Sequence, residues 1–469
     1  MSTDLCELNL HQVKEAYKNG SFSCKEYVDA LIKKSETHKD LNALVSTDWE
    51  SLRVSAEKID TSGHFEKQLS GVPLCFKANI NTAQLPTCAA TGALAKHVST
   101  SPAPVAKSLF ESGALLGATG NMHELAFGIT SNNSVTGPVR NPWNKSMIPG
   151  GSSGGVAVAV SAGMMPAGIG TDTGASVRLP ASLCGVVGFR PTVGRYSGQG
   201  IVPISHTRDT AGPITRSVPD AMLLDRVMCS GSEERSNTSL KGLRLGVPRE
   251  YFYDDLDPDV GVASEKVLSL LQAEGVHLVE EDINGIGDMN NAVSFPIALY
   301  EFISDLPKYL TENKLNFSMQ DICNDIGSPD VKGLFESLLG EGAMPESVYK
   351  EAIESGRPKL QEAFREYFAN QSVDAIIFPT SPLTARPIGQ DETVELNGVQ
   401  QPTFPTFIRN TDPSSNAGIP GISLPISISS SGLPVGIELD APVGRDDRLL
   451  SIAQELEKVF EFSARPQLY

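Results

Sequence analysis

The chain has 469 residues, 40% hydrophobic and 20% charged, which describes a globular protein long enough to bury a large core. Its 56 acidic against 38 basic residues give a net charge of −18, which argues against nucleic acid and anionic membrane surfaces as partners. Seven scattered cysteines with no C-x-x-C pair exclude a disulfide framework and a zinc site, and fit reduced thiols in a cytoplasmic protein.

The first residues show neither the basic nor the apolar region of a secretory signal. Residues 10–18 and 24–38 read as helices, the first broken by Asn19-Gly20 and the second opened by a Ser23/Glu26 capping box. Residues 41–45 pattern as a strand, and Thr47 with Glu50 is a second capping box, opening a helix to about residue 59. This helical arm, about residues 1–62, carries no chemistry. Gly71-Val-Pro-Leu-Cys-Phe-Lys77 is a short apolar strand ending in lysine. A helix at 104–112 and a strand at 114–118 lead into residues 121–134, a strand-to-loop passage placed to line a pocket.

Residues 156–169 are small and almost wholly apolar, and predict a buried helix and turn. Residues 155–170 come closest to a membrane span, but their Gly, Ala and Val content and Pro166 fit a protein core. Residues 184–189 read as a buried strand, and 208–220 as a turn feeding a helix to 228. Residues 230–241 are polar and read as a surface linker. Strands follow at 243–248, 276–279, 375–378, 422–426 and 435–439, with helices at 262–273 and 446–460. Residues 284–372 are helix-rich and charged, which predicts a lid or cap, and 410–418 read as a polar loop. The alternation of strands and helices predicts an α/β layered fold. Length alone allows about three domains at roughly 150 residues each, and single α/β enzymes also run this long.

Two stretches stand out chemically: Ile148-Pro-Gly-Gly-Ser152-Ser153-Gly-Gly155 and Gly170-Thr-Asp-Thr173-Gly174-Ala175-Ser176-Val-Arg178. Glycines that bracket hydroxyls allow an unusual loop that aims those hydroxyls. A serine nucleophile needs a base. Gly151-Ser152-Ser153-Gly154-Gly155 formally fits G-x-S-x-G, but only His206 and His277 lie downstream and no apolar strand leads into the motif. No P-loop and no H-E-x-x-H pair occur. The other candidate base is Lys77. It either snorkels to the surface or sits buried, where desolvation lowers its pKa toward neutrality.

Together, the Lys77 segment and the two glycine–serine stretches resemble the amidase-signature family. Ser152 and Ser176 are 24 positions apart, the spacing usual in that family, and Asn141-Pro-Trp143 and Val187-Gly-Phe-Arg-Pro-Thr192 extend the likeness. The resemblance implies a single catalytic domain over 1–469, with the signature core at about 63–220. It implies a large mixed β-sheet sandwiched between layers of α-helices, and no cofactor or metal. It further implies that Ser176 is the nucleophile, that Ser152 follows a cis peptide bond and relays the proton, and that Lys77 is the general base. The backbone N–H groups of Thr173, Gly174, Ala175 and Ser176 would form the oxyanion hole. Ala175 stands where most of the family has glycine; a positive φ there would cost alanine about 1–2 kcal/mol. Ala78-Asn79 replaces the usual Asp-Asn after the lysine.

Further segments, among them residues 122–133, 201–210, 251–257, 294–302 and 409–418, resemble a branch from plant-associated bacteria. That branch converts indole-3-acetamide to indole-3-acetate and ammonia, a step toward auxin, and it implies a small neutral aromatic amide as the substrate. Ala126, Phe127 and Gly128 fall where the family lines its acyl pocket. The competing readings are a mandelamide-type or broader arylamide amidase, an amidotransferase subunit acting on glutamine, and a His-based serine hydrolase. The resemblance is compatible with a monomer or a homodimer.

Overall fold

In the computed structural model, which describes residues 4–229 and 238–468, the framework is an eleven-stranded mixed sheet. In chain order the strands are β1 (Leu44–Ser46), β2 (Pro73–Lys77), β3 (Leu115–Gly120), β4 (Ala167–Asp172), β5 (Val187–Arg190), β6 (Thr210–Thr215), β7 (Arg244–Gly246), β8 (His277–Val279), β9 (Ala375–Pro379), β10 (Thr393–Leu396), β11 (Val399–Pro402), β12 (Gly421–Ile428) and β13 (Pro434–Asp440). The spatial order is β1-β3-β2-β4-β6-β5-β12-β13-β9-β7-β8, and β10 and β11 pair separately as a hairpin. Parallel pairing joins β3, β2 and β4 at one end and β9, β7 and β8 at the other; the centre is antiparallel.

Alternation along each strand divides the core between the two faces. Leu74, Phe76, Ala167 and Ile169 pack beneath the helices Leu10–Lys18, Cys24–Thr37, Pro104–Glu111 and Val218–Cys229. Farther along the same face, Phe189, Ile377, Leu424 and Ile437 meet the helices Pro258–Ala273 and Asp446–Phe460. The intervening positions turn to the other face. There Cys75, Ala118 and Ile214 meet the helix Gly154–Ser161, and Ile376 and Phe378 meet the helix Arg357–Gln371. The expected large mixed sheet between helical layers is therefore present. Among the described residues, no helix is long and apolar enough to cross a membrane.

The region 284–372 folds as a series of helices, the longest of them Ser294–Glu312. Three of them, Ser294–Glu312, Met319–Asp325 and Pro329–Leu339, pack through Phe302, Leu306, Ile322 and Phe335 onto Leu125 and Ala89 of the core. Phe127 joins them edge-on, with ring centroids 4.4 Å from Phe302 and 5.4 Å from Phe335.

Several local readings change. The stretch 156–169 is a helix that ends at Ser161 and then enters β4, because the small residues serve a fully buried strand as well as a buried helix. Residues 178–184 are a helix, so the strand expected from 184 begins only at Val187. The expected turn at 208–215 is β6, whose Gly212 and Pro213 sit in ladder positions opposite Gly170 and Ile169. The helix after β1 is capped by Asp48, which accepts from Ser51 N, and not by Thr47 with Glu50. Residues 412–417 of the expected polar loop form a short helix. The hairpin β10–β11 was not anticipated, although Asn397 (φ 50°) and Gly398 (φ 82°) make the favoured two-residue hairpin turn. Of the linker at 230–241, residues 230–237 lie outside the described residues.

Candidate active site

Lys77 is the last residue of β2, on the face opposite Leu74 and Phe76, and its side chain is wholly buried. Burial away from water disfavours the charged amine and brings its pKa down to about 7, although Asp172 and Asp209 pull the other way. Its Nζ donates to Ser152 Oγ at 2.7 Å, to Thr171 Oγ1 at 2.8 Å and to the Thr171 carbonyl at 3.3 Å. Asn79 Nδ2 donates to the same Thr171 hydroxyl at 3.1 Å. Of the two readings of Lys77, the buried one holds.

Ser152 follows a cis Gly151–Ser152 peptide bond. The loop then enters the helix Gly154–Ser161, which lies hard against β3 and its sequel. A Cβ on Gly155 would stand 2.3 Å from the carbonyl oxygens of both Ala43 and Asn121, so only glycine allows this approach. Ser153 Oγ donates to the Thr171 carbonyl at 3.2 Å, and Ser153 N donates to the Ser176 carbonyl at 3.3 Å. These bonds tie the two glycine–serine stretches together.

Ser176 lies in the loop between β4 and the helix Arg178–Cys184, and 8% of it is exposed. The loop is fixed from behind. Asp172 accepts from Val177 N at 3.0 Å and from Arg178 Nε and Nη2 at 3.1 Å each. Arg178 Nη2 also donates to the Gly174 carbonyl at 3.1 Å. Burial opposes ionisation of Asp172, but the Arg178 and Arg190 guanidiniums hold its carboxyl well below the usual carboxylate range. In front, Thr173 Oγ1 donates to Asp209 Oδ1 at 2.6 Å, and Asp209 Oδ2 accepts from Ile204 N and Ser205 N. Among the described residues, the backbone N–H groups of Thr173, Gly174, Ala175 and Ser176 donate to no protein acceptor. Ala175 is buried and does not have a positive φ, so alanine carries no backbone strain there.

Those four residues line a cavity of about 230 Å³ that also receives Ala126, Phe127 and Gly128. Gly128 is forced: a Cβ would lie 2.2 Å from His123 Nε2. The rest of the wall was not foreseen. Phe295, Ala298 and Leu299 come from the helix Ser294–Glu312, Leu334 from the helix Pro329–Leu339, and Phe404 and Ile408 from the segment after the hairpin. Polar groups sit among them: Asp330 meets His123 Nε2 at 3.0 Å, Asp391 accepts from Thr130 and Asn132 at 2.6 Å each, and Asp412 accepts from Arg208 at 2.6 Å.

The structure thus brings Lys77 and Ser152 into direct contact and sets Ser176 with the proposed oxyanion amides on the cavity wall. Among the described residues, no hydrogen bond joins the Ser152 and Ser176 hydroxyls, and no histidine ring bonds to Ser152, Ser153 or Ser176. The His206 ring is engaged instead by Asp305 at 2.8 Å, and His277 lies on the edge strand β8. Cys184 is buried with its thiol pushed up by desolvation, and its Sγ donates to the Pro149 carbonyl at 3.4 Å. Thr171, Asn79 and Asp209 are contributors that the sequence reading missed.

Residues 26–450 match the Amidase family model, so the chain belongs to that family and is a hydrolase acting on amides. It is 52% identical over 454 residues, 97% of each chain, to an indoleacetamide hydrolase of Rhizobium radiobacter. It is 39% identical to a mandelamide hydrolase of Pseudomonas putida, covering 97% of this chain and 92% of that one. Among solved structures, an amidase superposes with a TM-score of 0.85 at 33% identity, over 96% of this chain and 99% of that one. The peptide amidase of Stenotrophomonas maltophilia, at 24% identity and a TM-score of 0.82, covers 98% of this chain and 99% of that one and shares the fold.

Proposed function

We propose that this chain hydrolyses neutral arylacetamides, foremost indole-3-acetamide to indole-3-acetate and ammonia, through a Ser176–Ser152–Lys77 triad. The observation that carries the chemistry is the buried Lys77 amine, brought near neutrality and 2.7 Å from Ser152 Oγ. The relatives and the largely apolar cavity support the substrate class.

In this reading neutral Lys77 takes the Ser152 hydroxyl proton, and Ser152 takes that of Ser176 as Ser176 Oγ attacks the amide carbonyl carbon. This transfer requires the hydroxyls of Ser152 and Ser176 to meet in the reacting complex. The oxygen that gains charge is received by the unengaged N–H groups of residues 173–176. On collapse the C–N bond breaks. The proton held by Lys77 returns through Ser152 to the leaving nitrogen, and ammonia departs. A water, deprotonated along the same path, then attacks the acyl-enzyme carbonyl; the bond to Ser176 Oγ breaks, Ser176 regains its proton from Lys77 through Ser152, and the arylacetic acid leaves, giving its own proton to solvent. No other chemical group is required by this cycle. The chain acts as one catalytic domain with residues 284–372 as its cap, in the cytoplasm, as a monomer or homodimer.

Ammonia release from indole-3-acetamide, mandelamide, benzamide and glutamine, by wild type and Lys77→Ala, tests the proposal. Preferred turnover of indole-3-acetamide that collapses in the variant is the expected result. Turnover that survives in Lys77→Ala overturns the lysine mechanism, and preference for glutamine overturns the substrate class.

A further inference from the structure

We propose that Asp330 is a specificity residue that accepts a hydrogen bond from the ring N–H of a heteroaryl acetamide, so that the cavity selects indole-type substrates over aryl groups without a donor. The inference rests on the functional reading above and names the part of the cavity that reads the ring.

Three carboxylates line the cavity, and their engagement differs. Asp412 is spent on its surroundings: Oδ1 accepts from Arg208, and Oδ2 accepts from Asn290 and Asn416. Asp391 uses both oxygens on the wall itself, Oδ1 for Thr130 and Oδ2 for Asn132. Asp330 meets His123 through Oδ2, and among the described residues no side chain donates to its Oδ1. An ionised carboxylate has about four acceptor sites, so Asp330 keeps capacity for a donor from the cavity.

Its placement suits that role. Asp330 stands in the first turn of the helix Pro329–Leu339, where the helix dipole favours negative charge. Leu334, four residues on and therefore on the same helix face, lines the same cavity, as does Phe127. A ring laid against Leu334 and Phe127 presents its rim to Asp330. The side chain is held for the task, because His123 is almost wholly buried and its Nε2 faces the carboxylate. Although partial burial works against it, the contact with His123, aided by the backbone N–H groups of Val331 and of Asp330 itself, keeps Asp330 below the usual carboxylate range, so it is an acceptor at neutral pH.

The test compares indole-3-acetamide with 1-benzofuran-3-acetamide, a near-isostere in which oxygen replaces the ring N–H. The kcat/KM of each is measured for wild type, Asp330→Ala and Asp330→Asn. Wild type is expected to prefer the indole by about tenfold or more, the range of a hydrogen bond to a charged group. Asp330→Ala is expected to lose that preference by slowing the indole substrate about tenfold more than the benzofuran one, and Asp330→Asn to restore part of it. Equal turnover of both amides by wild type overturns this proposal alone. So does an equal loss on both substrates in Asp330→Ala, which marks a role in docking the cap. No turnover of either amide by wild type overturns the functional reading and this proposal with it.

Discussion

The two ends of the cavity are built in different ways. The Ser176 end comes from loops that leave neighbouring strands, with Lys77 on β2, Thr171 on β4 and the serines between buried elements. The aryl end is pieced together from two cap helices, the loop at Asp391 and residues 404–408, and it is held to the core by side-chain contacts such as His123–Asp330 and Thr130–Asp391. The difference teaches where each property resides. In the proposed reading, groups that must be placed finely hang from the sheet, and groups that meet the ring hang from loops and helices packed against it.

The comparison is sharpened first at the sheet end. Ser176→Ala is expected to lower kcat for amide hydrolysis by about 10⁴-fold or more while the protein keeps its melting temperature within a few degrees. Steady-state ammonia release and a thermal melt check both halves. Next comes pH. Burial favours the neutral amine of Lys77, so the active form dominates above about pH 7 and is lost as pH falls below it. A kcat/KM profile should therefore descend on its acid side with a midpoint near 7, and a flat profile down to pH 5 would refute the lysine base.

Asp209 offers a finer probe, because it both holds Thr173 and opposes the lowering of the Lys77 pKa. Asp209→Ala should slow turnover by about tenfold, a fraction of what losing an oxyanion donor costs. Asp209→Asn should recover most of the rate and move the acid limb to lower pH, since a charge that favoured protonated Lys77 is gone. At the aryl end, Phe127→Ala removes the ring gripped by Phe302 and Phe335. It should raise KM more than it lowers kcat and destabilise the protein by about 2–4 kcal/mol, measurable by denaturant titration. The smallest effect is expected for Ala175→Gly. With no positive φ to relieve, glycine there should cost about 0.5–1 kcal/mol and change kcat less than threefold.

The same contrast explains what could be read in advance. Lys77, Ser152 and Ser176 were legible because their surroundings break ordinary patterning: a lysine closes an apolar strand, and glycines crowd hydroxyls. The α/β layering was legible from alternation, and the large mixed sheet from the family resemblance. The boundary between the helix Gly154–Ser161 and β4 was not, since a run of Ala, Val and Gly buried on all sides carries no period. β6 was hidden by Gly212 and Pro213, residues that ordinarily announce turns. The hairpin at Asn397-Gly398 had a legible signal that went unused. The cavity wall was illegible for a different reason. Beyond the foreseen Ala126, Phe127 and Gly128, residues such as Leu299, Leu334 and Phe404 are ordinary apolar ones, and only tertiary packing brings them to one place.

The carboxylates around the aryl end have one more consequence. In the proposed reaction an arylacetamide enters without charge and departs as an anion, in a cavity whose lining sets three carboxylates, Asp330, Asp391 and Asp412, against one guanidinium, Arg208, itself paired to Asp412. Reaction thus turns a welcome guest into one repelled by the walls around it, so the product carries its own eviction order. In that reading the cavity tells substrate from product by charge, which favours release of the arylacetate.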